Sequence, residues 1–171
     1  MSRIAGSSRD VAMLGFRRQA VPILSTLAAS LLDLLPIVAQ WPIVPDFAFL
    51  VLIGWRLLRP EIWQPHVALG LGLCNDLIAG HPIGQSMAIW TMTFLAFDLL
   101  DARTGWRDYW VDWFFASVAI AFHSYGGWFI AKLMGSATLY SVMLPQLAVS
   151  VFAYPFVARL IVALDRWRLA R

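Results

Sequence analysis

Long apolar blocks alternate with short polar ones along this chain. The blocks place helices at 20–40, 46–58, 64–80, 83–100, 111–134 and 139–164. A helix that crosses a bilayer needs roughly 20 apolar residues. Six such segments with short loops nearly exhaust the 171 residues. The expected fold class is an all-α integral membrane protein, a six-transmembrane-helix bundle. Residues 1–19 read as a basic cytoplasmic N-terminus, 20–164 as the membrane domain and 165–171 as a basic cytoplasmic C-terminus. The first apolar block runs to about Gln40 with no small-x-small cleavage site, so it reads as an uncleaved helix.

The second and third segments are short. Asp46 to Leu58 spans only about 20 Å as a helix, less than the roughly 30 Å hydrocarbon core. Pro42, Pro45, Pro60, Pro65 and Pro82 bracket the pair. Proline lacks an N–H and favours segment starts. Short helices are tolerated where neighbours cover their ends, so both are expected in the interior.

Composition strengthens this picture. Hydrophobic residues make up 60% and charged residues 13%, too apolar a balance for a soluble fold of this size. Mean hydropathy is +0.70. The net charge of +3 could suggest nucleic acid, but the basic residues are spread over every second loop. With the N-terminus inside, Arg3, Arg9, Arg17, Arg18, Arg56, Arg59, Arg103, Arg107, Arg159, Arg166, Arg168 and Arg171 all fall on the cytoplasmic side. Only Lys132 lies toward the outside. This is the positive-inside pattern of a multi-pass inner-membrane protein, with no nucleic-acid footprint. Trp41, Trp55, Trp63, Trp106, Trp110, Trp113 and Trp167 fall near helix ends, where indoles anchor at headgroups. The single cysteine, Cys74, excludes an intrachain disulfide and reads as a small packed residue.

Acids within apolar segments are costly and usually face protein or water. Ser25, Ala29 and Asp33 share one helix face, as do Gly72, Asp76 and Gly80. Asp33, Asp46 and Asp76 fall in the outer half, together with Lys132. They read either as a polar cluster that binds a ligand or fixes a partner, or as an ion pair and helix caps, with Asp46 capping the second helix. Asp98 and Asp101 close the fourth helix, so a cation such as Arg56, Arg59 or Arg103 is expected beside them. Asp98-x-x-Asp101 lacks the flanking residues of Mg²⁺ phosphoryl chemistry. His66, His81 and His123 lie at different depths and do not suggest one metal. His123 could relay protons or, as a neutral group, hydrogen-bond across a helix interface. Gly127, Ala131 and Gly135 continue a small-residue face that suggests close helix contact. No cofactor motif is present, and no GxSxG, HExxH or GxxxxGK.

Two stretches go further. One runs from Trp41-Pro42-Ile43-Val44-Pro45-Asp46-Phe47 through Ile53-Gly54-Trp55-Arg56 to Arg59-Pro60-Glu61. The other is Gly70-Leu71-Gly72-Leu73-Cys74-Asn75-Asp76-Leu77-Ile78-Ala79-Gly80-His81-Pro82-Ile83-Gly84-Gln85-Ser86. Together they resemble the MreD family, small membrane subunits of the bacterial rod-shape machinery. The likeness covers residues 41–86. It implies a fold like the substrate-binding subunit of energy-coupling-factor transporters. It also implies a non-enzymatic scaffold working with MreC, MreB, RodA and its class B penicillin-binding transpeptidase, among membrane lipids. Pro45, Asp46, Arg56, Arg59, Gly72, Asp76, Gly80, Pro82 and Gly84 carry the likeness. Asp33 and Lys132 join them as interaction or structural candidates. Arg56, Arg59 and Glu61 at the inner turn fit a cytoplasmic contact. The competing readings are a small-molecule (vitamin-like) binding subunit of a membrane transporter and, less favoured, a membrane enzyme using Asp98 and Asp101.

Overall fold

The structure, a computed structural model, describes residues 20–35, 43–101 and 108–169. The N-terminal arginines, Trp41, Arg103, Trp106, Arg107 and Arg171 lie outside the described residues. Among the described residues every regular element is helical. The six helices are α1 (Ala20–Leu34), α2 (Phe47–Leu58), α3 (Pro65–Ala79), α4 (Gln85–Asp101), α5 (Tyr109–Leu133) and α6 (Leu144–Leu169). A 3-10 turn, Tyr140–Met143, leads into α6. Two helices, Tyr109–Leu133 and the 3-10 turn with α6 (Tyr140–Leu169), are long and apolar enough to cross a membrane.

Local chemistry sets most boundaries. α1 tightens into a 3-10 turn at Leu31–Leu34 and stops at an extended Leu35. Pro36 follows, and the residue before proline is steered away from helix. Asp46 caps α2 by accepting the Phe49 N–H at 2.9 Å. Pro65 opens α3, and Gly80 closes it in the left-handed region at φ 71°. α6 runs to Leu169, through much of the segment 165–171 expected as a tail.

α2 is the hub. Every residue from Ala48 to Leu57 is buried. Trp55 donates its indole N–H to Ser25 Oγ of α1 at 2.9 Å. Phe49 packs on Trp90 of α4, with ring centroids 6.2 Å apart. Gly54 admits Ile161 of α6, which a Cβ there would strike. The expected interior position therefore holds for α2. It fails for α3, which buries only the face Ala68, Leu71, Gly72, Asn75 and Asp76 and leaves Leu69, Leu73 and Leu77 exposed. Cys74 is exposed too, so it is not a packed core residue. The tryptophans divide. Trp55 and Trp63 are buried, and Trp113 donates to Val151 O at 3.1 Å, so these three pack inside. Trp110 and Trp167 are exposed at the ends of α5 and α6, the positions an interfacial indole would take.

Candidate functional site

The helices alternate in direction, so each end of the bundle collects its own set of polar groups. The end of α1, the start of α2, the α3–α4 turn, the second half of α5 and the start of α6 surround a cavity of about 740 Å³. Asp33 reaches it from the last turn of α1 and Asp46 from the cap of α2. His123 forms part of the wall. Its ring stacks on Phe49, with centroids 4.2 Å apart and planes 16° apart. Its Nε2 lies 3.5 Å from Asp46 Oδ2. That nitrogen is buried and makes no hydrogen bond, so the contact is a close approach without good donor geometry. Gln146 fixes the approach to α2 by donating to Val44 O at 2.8 Å.

Gly127, Ala131 and Gly135 line this cavity. Their small-residue face opens space, and the expected close helix contact is made one residue earlier. There a Cβ on Gly126 would sit 3.0 Å from Ile89 Cδ1 of α4. Lys132 does not serve as countercharge to the outer acids. It is exposed, its Nζ lies 5.0 Å from the Trp128 ring centroid, and it pairs with no acid among the described residues.

Asp76 belongs to a different structure. It reaches across to the start of α4, where Oδ1 accepts from Ser86 N at 2.8 Å and Oδ2 from Gly84 N at 2.8 Å. The first turn of a helix presents N–H groups with no partner inside the helix, and a carboxylate satisfies them. Gly72, one turn earlier, makes the approach possible. A Cβ there would lie 2.6 Å from Met87 Cα and 2.7 Å from Met87 N. Asn75 adds a bond to Ser86 Oγ at 3.1 Å. Gly80 and Gly84 adopt positive φ in the connecting turn around Pro82. The Gly72–Gly84 motif thus builds one rigid α3–α4 hairpin. Gly80 works through its backbone conformation, and not on the contact face shared by Gly72 and Asp76.

The opposite end holds the ion pairs. Arg56 is 1% exposed and reaches Asp98 at 2.5 Å and Asp101 at 2.9 Å. Its Cζ lies 5.7 Å from the Phe94 ring centroid. The cation expected beside Asp98 and Asp101 is therefore Arg56, and its burial removes it from any cytoplasmic surface. Arg59 donates through Nε at 3.1 Å and Nη2 at 2.8 Å to Asp165 Oδ2. These bonds raise the Arg59 guanidinium pKa further above its ordinary value. Arg168 bonds the other oxygen of Asp165 at 2.7 Å and lies over Trp55. Glu61, 3.6 Å from Arg59, is mostly exposed and adds little.

The structure thus splits the expected outer cluster. Asp33, Asp46 and His123 share the cavity, with Pro45 and Pro82 on its wall. Asp76 is spent on the hairpin, and Lys132 stands apart. His81, Gln85 and Gln146 also line the cavity, and sequence reasoning did not assign them there. His81 and Gln85 flank the Pro82–Gly84 turn, which was the available signal. Asp165 was missed because it lay in a presumed tail. Among the described residues no group of three or more His, Cys, Asp or Glu side chains is placed to hold a metal ion. No protein-family model, curated protein or solved structure matches the chain.

Proposed function

We propose that this chain is a six-span subunit of the bacterial inner membrane with both termini in the cytoplasm. In this reading it is a non-enzymatic scaffold of the MreD kind, with a bundle like the substrate-binding subunit of energy-coupling-factor transporters. It would help MreC and MreB organise lateral peptidoglycan synthesis by RodA and its transpeptidase. The observation that carries the reading is the likeness of residues 41–86 to that family. Its physical support is what those residues do. Asp46 caps the central helix, and Gly72, Asp76 and Gly84 lock α3 to α4. A scaffold transmits position only if its helices keep their relative places. The orientation is supported by Arg56, Arg59, Arg166 and Arg168 gathering at one end while Lys132 lies near the other.

Depletion tests the reading. Rod cells should become round and swell, and MreC should co-purify with the tagged protein. Unchanged rods with altered uptake of a vitamin would favour the second reading, a small-molecule binding subunit of a transporter. The cavity at the Asp33 end supports that alternative, because its size falls in the range of ligand pockets.

A further inference from the structure

We infer that the cavity between α1, α2, α5 and α6 binds a small protonated organic amine with an apolar body. This deepens the transporter-type reading of that cavity, and it holds equally if the chain is a scaffold that senses a ligand.

Charge comes first. Asp33 and Asp46 both line the cavity, and among the described residues no Lys or Arg does. Asp33 has no hydrogen bond or ion pair to any described residue. Asp46 uses Oδ1 for the helix cap, and its Oδ2 lies 3.5 Å from His123 Nε2. Two carboxylates at a partly enclosed, largely apolar space that no described Lys or Arg lines favour a cation over an anion.

Shape and lining choose among cations. A bare metal ion wants a compact shell of oxygen or nitrogen ligands, and the described residues offer none. The volume of about 740 Å³ holds a molecule rather than an ion. Phe49, Ile120, Trp128 and Leu147 supply apolar and aromatic walls. An ammonium group carries three N–H donors. The Asp33 and Asp46 carboxylates are acceptors among the lining residues.

The test uses the full-length protein in lipid nanodiscs, titrated with 2-phenylethylammonium and with neutral 2-phenylethanol. Empty nanodiscs provide the blank for partition into lipid. The ammonium should bind saturably, with one site and at least about tenfold tighter than the alcohol. Asp33→Asn and Asp46→Asn should each erase most of that preference. Asn retains the size of Asp and still caps a helix, so both variants should fold. Glu61→Gln, at the other end of the bundle, should bind as the parent does. Equal affinity for amine and alcohol overturns the inference, as does absence of saturable binding to folded protein. Full preference in the Asp33→Asn, Asp46→Asn double variant also overturns it. Rod shape and MreC co-purification are scored separately, so failure here leaves the scaffold reading standing.

Discussion

At one end of the bundle Arg56 meets Asp98 and Asp101, and Arg59 meets Asp165. At the other, Asp33 and Asp46 line a cavity to which no described Lys or Arg contributes. Among the described residues, only the first end pairs its acids with arginines. Charges that hold a fold together come with partners, because an unpaired buried charge costs several kcal/mol. At the cavity, Asp46 holds the α2 cap through one oxygen, while Asp33 bonds no described residue and is free to meet something else. The contrast separates architecture from readiness to bind.

The largest effect should come from breaking the paired end. Arg56→Met removes a cation shared by two carboxylates. Loss of one member of a buried pair typically costs 3–5 kcal/mol, and water at Asp98 reduces this to about 3 kcal/mol. Unfolding in detergent micelles should report a clear loss of stability. An unchanged transition would mean that the inner network is ornamental and the contrast false.

The hairpin comes next. Gly72→Leu drives a side chain into the Met87 backbone, and overpacking of this kind costs about 2 kcal/mol. Asp76→Leu removes the acceptor for the α4 amides and should cost about as much. Amide hydrogen exchange at Gly84 and Ser86 should rise in both variants and not in Asp98→Asn. If Asp98→Asn loosens these amides instead, the hairpin is not the independent unit described.

Asp46→Ala should cost about 1 kcal/mol, because it removes an N-cap, whereas Asp46→Asn should cost almost nothing. A large penalty for Asn would show that the negative charge itself supports the fold. Asp33→Asn should have the smallest effect, within about 0.5 kcal/mol of the parent or slightly stabilising. Thermal unfolding of this variant sharpens the comparison most. A strong destabilisation would place Asp33 with the structural charges of the inner end.

The order of the described helices was legible from the sequence, but α1 stops at Leu34 where 20–40 was expected, and α6 spans Leu144–Leu169 where 139–164 was expected. Proline, glycine and aspartate mark ends by local rules that need no tertiary information, as at Asp46, Pro65 and Gly80. The base beside Asp98 and Asp101 was legible for the same kind of reason, since a helix C-terminus repels carboxylates. Burial was not. α3 reads as apolar on both faces, so nothing in its pattern distinguishes Leu71, which is buried, from Leu73 and Leu77, which are exposed. The usual amphipathic signal vanishes when the outer surface is as apolar as the core. Asp76 misled for a related reason. Its glycine-flanked face announces a close neighbour, but not that the neighbour is the start of the next helix. The cavity was missed because small residues on a helix read alike whether they admit a partner or leave room. Gly126 does the first and Gly127 the second.

The burial of α2 also bears on how the chain is made. Synthesis runs from the N-terminus, so the hub exists before most of its surroundings do. Asp98 follows Arg56 by 42 residues, and Asp165 follows Arg59 by 106. Only Ser25, 30 residues earlier than Trp55, is already in place when α2 leaves the ribosome. For the nascent chain α1 is therefore the first shelter of the central helix. The bundle closes only when α6 arrives to cover α2.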